Sequence, residues 1–208
     1  MKKCILLALL SVVVCGCAGK IMYIHPTQTY KTTNSVTVNK PRAEVWKQIV
    51  PALGSSFFVI NNLDKESGFI NISYSGDPEK YVDCGIIDSY VKNARGERTY
   101  HFPASSAYKE YESFENGQYL LFYKRKMKLE GRINIIVQEL SANSTLVTVN
   151  TKYVLTKDIF VSNPQGQSQH MNDSISFNTN GSASFRQVTT CCATGTLEQE
   201  VLRALGLF

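Results

Sequence analysis

The sequence predicts an α+β domain, an antiparallel sheet packed by one amphipathic helix near the N-terminus and a second at the C-terminus. Two apolar stripes and the strand-like region between them carry that expectation. Val45, Trp46, Ile49, Val50 and Leu53 recur at the spacing of one helical face, and Leu197, Val201, Leu202 and Leu205 do the same near the end of the 208-residue chain. Between them, residues 119–129, 131–140 and 145–155 read as successive strands, with a turn at Asn143 and Ser144 and a break at Gly131.

At the N-terminus, Lys2 and Lys3 precede an apolar run over residues 5–14, which ends in Val14, Cys15, Gly16 and Cys17. A basic start, about ten apolar residues and a small-residue boundary form a secretory signal. The run is too short for the ~20 apolar residues of a membrane span. The order apolar, small, Gly, Cys resembles the lipobox of bacterial lipoproteins. That resemblance implies removal of residues 1–16 and acylation of Cys17, with the membrane as partner through N-terminal acyl chains. Ala18 rather than Asp follows Cys17, which by resemblance to enterobacterial sorting implies the outer membrane, on its periplasmic face. Residues 17–34, with Pro26 and many Thr, Gln and Asn, lack an apolar period and read as the lipidated cysteine and its tether.

Residues 35–208 read as one domain. Ser35, Val36, Thr37 and Val38 alternate polar and apolar with β-branched side chains, the pattern of a half-buried strand. Pro41 suits a first helical turn, Gly54 supplies a stop, and Pro51 threatens the last turn of the helix between them. Residues 57–60 and 69–74 read as a hairpin across an Asn-, Asp- and Gly-bearing turn. Residues 92–117 are polar without legible boundaries. Residues 161–184, with Pro164, Gly166, Gly181 and a surplus of Ser, Asn and Gln, predict a long mobile loop. Thr196 and Gln199 have the spacing of a capping box for the last helix, which Gly206 closes.

A curved antiparallel sheet covered by helix is a helix-grip arrangement. Residues 40–74, with Pro41, Val45, Trp46, Phe57, Val59, Asp64, Gly68 and Ile72, resemble the helix-grip repeats of BamC-type outer-membrane lipoproteins. The resemblance implies a helix-grip-like domain. BamC-type proteins carry two such domains and a long leader, whereas this chain has length for one, so a role in barrel assembly does not carry over.

Charge and cysteine usage bound the chemistry. The chain has 22 basic and 17 acidic side chains, and Lys2 and Lys3 leave with the signal. The remainder is spread out, apart from Lys124, Arg125, Lys126 and Lys128, which read as a solvated strand face, so nucleic acid is not an expected partner. Of the six cysteines, Cys17, Cys84, Cys191 and Cys192 lie beyond the signal. Outside the cytoplasm thiols oxidise, and neighbouring Cys191 and Cys192 seldom bridge each other. The expected disulfide therefore joins Cys84 to Cys192, with Cys191 as the alternative partner. A zinc site built from these thiols and a histidine is the less favoured use of the same residues.

Glycine-rich phosphate loops and the Gly-x-Ser-x-Gly elbow are absent from the sequence, and the histidines His25, His101 and His170 lack metal-ligand spacing. No catalytic site, cofactor or metal is expected. Among the aromatic residues of 100–123, Tyr108, Tyr111, Phe114 and Tyr119 either pack the concave side of the sheet or line a ligand or partner surface. The expected function is a non-enzymatic binding or assembly module for another envelope component, an envelope protein above all. The alternative is a carrier of a lipid or other apolar ligand in a helix-grip cavity.

Overall fold

A computed structural model describes residues 18–28, 30–115, 119–186 and 189–207. The chain runs β1 (Ala18–Ile24), β2 (Ser35–Val38), α1 (Arg42–Gly54), β3 (Val59–Asp64), β4 (Phe69–Gly76), β5 (Val82–Asp83), β6 (Ile86–Asn93) and β7 (Gly96–Pro103). It continues through β8 (Tyr108–Glu115), β9 (Tyr119–Ser141), β10 (Ser144–Ser162), β11 (Ser168–Asn178), β12 (Ser182–Ser184), β13 (Thr190–Ala193) and α2 (Thr196–Ala204). The protein is mostly β, 60% strand and 12% helix. That overturns the expected α+β helix-grip domain: two short helices accompany three antiparallel sheets.

The organising element is the β9–β10 hairpin. Along β9 the odd-numbered side chains from Arg125 to Val137 point inward and their even-numbered neighbours face solvent, the period of a sheet buried on one face. One half of β9 pairs β4 and the other pairs β8; β10 is flanked in the same way by β2 and β11. Over the first half lie α1 and α2. Val45, Ile49 and Leu53 meet Leu197, Val201 and Leu202 and the strand residues Ile70, Ile72, Ile133, Ile135, Val147 and Val149 in one buried cluster. Across the other half, the β1–β6–β7 sheet covers β8, where Phe102 and Tyr100 contact Tyr111. The third sheet, β12–β13–β5, carries the disulfide.

The expected break at Gly131 does not occur, because β9 is continuous through it. A Cβ at Gly131 would lie 3.0 Å from the Leu197 side chain. The glycine is there to let α2 approach the sheet. Pro51 leaves α1 intact as far as Gly54. No capping box forms on α2: its N-cap is Gly195, at φ 78°, and the Gln199 amide instead donates to the Thr33 carbonyl at 2.9 Å.

Two segments that read as flexible are built into sheets. In place of a tether, residues 18–24 form β1, in register with β6 from Ala18 opposite Lys92 to Ile24 opposite Ile86. The polar residues that suggested solvation hold this segment down. Tyr23 Oη lies 3.0 Å from both the Cys84 and Thr190 carbonyl oxygens and accepts from Thr190 N–H, Thr32 donates to Thr194 O, and Asn34 donates to Val149 O at 2.8 Å. The loop expected over 161–184 is chiefly β11 and β12. β11 pairs β10 from Ser168 to Asn178. An edge strand satisfies its backbone on its neighbour's ladder and needs few apolar side chains of its own.

A buried polar knot fastens α2 to the sheet. Glu198 is fully buried, and it accepts hydrogen bonds from Tyr153 at 2.7 Å and Thr179 at 2.8 Å. Burial, together with the adjacent carboxylate, pushes the Tyr153 phenol far above its ordinary pKa, which keeps it a donor.

Candidate functional site

The disulfide joins Cys84 to Cys191, both fully buried, across a sequence separation of 107. Cys192, the favoured partner in the sequence reading, is a free thiol. Strand alternation along β13 explains the choice: Cys191 points into the core, while Cys192 is half-buried with Sγ 3.5 Å from the Asp83 carbonyl oxygen. Burial and the nearby Asp83 charge push the Cys192 thiol pKa up, the opposite of an activated nucleophile. Cys17 lies outside the described residues. Among the described residues no group of three or more His, Cys, Asp and Glu could hold a metal ion.

The four aromatic candidates do not form one surface. Tyr111 and Phe114 are buried, and Tyr111 stacks on Tyr123 with ring centroids 4.7 Å apart. Tyr108 and Tyr119 are exposed, but they stand at opposite ends of the β8–β9 ladder, opposite Lys126 and Glu115 respectively. At about 3.3 Å per residue that separates them by roughly 23 Å.

A different pair stands out where the buried face of β9 and β10 leaves the shelter of the helices. Arg125 is 1% exposed and Lys157 is 3% exposed. In register, Lys157 faces Met127 and Ile159 faces Arg125, so the two cations are diagonal neighbours on one face, about 7 Å apart at Cβ. Arg125 Nη2 lies 2.8 Å from Met127 Sδ, a weak acceptor, and its buried Nη1 has no hydrogen-bond partner. The Lys157 ammonium sits over the Phe185 ring, 4.4 Å from its centroid. Among the described residues neither forms a salt bridge.

Electrostatics follow from that placement. Burial, reinforced by the Arg125 charge, lowers the Lys157 pKa to about 8, and burial lowers that of Arg125 to about 10. The carboxylate in register with Lys157 is Asp173 on β11. Its oxygens already accept the backbone N–H groups of Arg186 and Ser174, each at 2.9 Å, and the Arg186 bond first of all holds its pKa below the usual range. Lys157 opens onto a cleft of about 310 Å³ rimmed by His170, Asn172, Asp173 and Arg186. The arrangement presents positive charge at the floor and rim of a cleft against one already engaged carboxylate. It suits retention of an anionic group.

The sequence reading missed this pair by treating Lys124, Arg125, Lys126 and Lys128 as one solvated face. Lys124, Lys126 and Lys128 do face solvent, whereas Arg125 shares the parity of Met127, Leu129 and Ile133. Period-two alternation through the basic run was the available signal. Comparison with protein-family models, with curated proteins and with solved structures found no match for this chain.

Proposed function

We propose that this chain is a lipoprotein, acylated at Cys17 and held on the periplasmic face of the outer membrane, where it acts as a non-enzymatic module that binds an envelope component through an anionic group. The placement is supported by the lipobox-like Val14, Cys15, Gly16 and Cys17 and by the Cys84–Cys191 bridge, which suits an oxidising compartment. The observation that carries the binding role is the buried pair Arg125 and Lys157, two cations that form no salt bridge among the described residues, with Lys157 opening onto the cleft and Asp173, already held by two backbone N–H groups, the carboxylate nearest to it in register. A buried charge held by so few partners is costly, and a ligand carrying carboxylate or phosphate would offset that cost.

Cys17→Ser is expected to abolish fatty-acid labelling and release the protein from the membrane fraction or leave the precursor unprocessed. Undiminished labelling of that variant would refute the anchor. Firm anchoring takes two signals, such as dual acylation, because one chain binds only marginally.

The binding role is tested by following the backbone amide resonances of Ile159, Asn172 and Asp173, which line the cleft, while the full chain is titrated with inorganic phosphate or succinate. Saturable shifts are expected in the wild type, weakened by salt and absent in Lys157→Met. Shifts with neither anion would remove the basis for the site.

A further inference from the structure

The ends of three strand pairs, β6–β7, β8–β9 and β10–β11, and the first described residue meet at one end of the molecule. Ala18 is opposite Lys92 at the end of β6, one residue from the β6–β7 turn. Gly19 lies against Phe114, whose side chain a Cβ there would meet at 2.4 Å, and Phe114 leads into the β8–β9 turn. The β10–β11 turn completes the group: a cleft of about 380 Å³ is shared by Asn93, Phe114, Tyr119, Leu121 and Pro164, which come from the ends of all three strand pairs. The helices and the β9–β10 turn lie at the other end of the long hairpin.

We infer that this end is the face that seats on the phospholipid bilayer, with Tyr119 and Pro164 in the headgroup layer. The inference rests on acylation at Cys17. Because β1 begins at Ala18, there is no tether to absorb distance: consecutive Cα atoms are about 3.8 Å apart, so an acylated Cys17 draws this end to the membrane. Its composition fits that neighbour. Tyr119 is 62% exposed, the amphipathic kind of ring that concentrates at membrane–water interfaces. Leu120 and Leu121 are half-buried beside it, and Pro164 is exposed. Lys20, Lys92 and Arg95 are exposed around the rim, but Glu97 pairs with Lys92 and Glu115 is also exposed, so the contact is chiefly apolar and aromatic rather than cationic. It therefore does not depend on anionic lipid.

The test uses the full, acylated chain in phosphatidylcholine vesicles brominated high on the acyl chains, just below the headgroups, where bromine is a contact quencher of an interfacial tryptophan. Tyr119→Trp and Pro164→Trp are made separately, with Phe57→Trp as the control. Phe57 is 63% exposed, next to the end of α1. Trp46, which is buried, supplies the same background in every variant. Emission from the tryptophan introduced by Tyr119→Trp or Pro164→Trp is expected to fall by about twofold against unbrominated vesicles, with no change for Phe57→Trp. If the acylated protein sediments with vesicles but neither rim variant is quenched, the seating is wrong and the anchor stands. If mass spectrometry of the mature protein finds no acyl group on Cys17, both the anchor and the seating fall. Quenching at Phe57→Trp instead would place the opposite end on the bilayer and overturn the inference.

Discussion

Replacing Cys84 and Cys191 together by alanine is expected to lower the stability of the domain by about 4 kcal/mol, read as a fall in the urea midpoint. Closure of a loop with a sequence separation of 107 accounts for most of that figure in the chain-entropy model. The bridge also has local work to do. β13 and β5 pair only through Cys192 with Asp83 and Ala193 with Val82, so few backbone bonds hold that sheet together. Amide protection in β12 and β13 should collapse before that of β9 and β10. Cys191→Ala alone should behave like the double variant, because Cys192 points to the other side of β13 and does not replace it. An unchanged midpoint after removal of both sulfurs would contradict this account.

Lys157→Met should have the opposite effect, raising stability at pH 7 by about 1 kcal/mol or more, since it removes the cost of taking the ammonium out of water while keeping a side chain of similar length. The gain has a defined pH dependence. Below about 8, the folded-state pKa, the ammonium is charged whether folded or unfolded, so its burial cost is fully present. Between about 8 and the ordinary 10.5 the unfolded chain keeps a proton that the folded protein has released, and the wild type gains stability. Above that window both states are neutral and the cost is gone. The advantage of Lys157→Met should therefore shrink as pH rises through this range. Comparing the two proteins at each pH cancels the tyrosines, whose raised pKa values, as at Tyr111 and Tyr153, act in the alkaline direction in both. A pH-independent difference, or a loss of stability at pH 7, would show that Lys157 is compensated in the folded state. The same variant is expected to lose anion binding, so stability and function would move in opposite directions.

The helices and the long hairpin were legible because they bury apolar faces at regular intervals. Val45, Ile49 and Leu53 on α1, and Leu197, Val201 and Leu202 on α2, are all fully buried. What misled was polarity in strands whose stability comes from backbone pairing. In β11, Met171, Ile175 and Phe177 alternate with polar residues, yet Ser, Asn and Gln dominate and the pattern resembles a loop. β1 is similarly concealed, since Gly19 and Lys20 interrupt it before Ile21 and the tie made by Tyr23 is tertiary. Gly131 reads as a break in sequence because the helix it accommodates is more than sixty residues away. The choice of Cys191 over Cys192 depended on the phase of β13, which no local feature fixes. Arg125 was hidden by its charged neighbours.

The orientation of β1 has a mechanical consequence. The strand leaves Ala18 and runs alongside β6 to Ile24, away from the end at which the proposed acyl anchor would attach. Its interstrand hydrogen bonds lie perpendicular to that direction. A pull between the bilayer and a partner bound on the domain would load those bonds in shear, all together, rather than peeling them apart in succession. At the far end of the strand, Tyr23 passes the load to the backbone of Cys84 and Thr190, beside the covalent bridge. Under the proposed anchoring β1 would be a tension-bearing mount, the whole strand resisting traction before it reaches the domain.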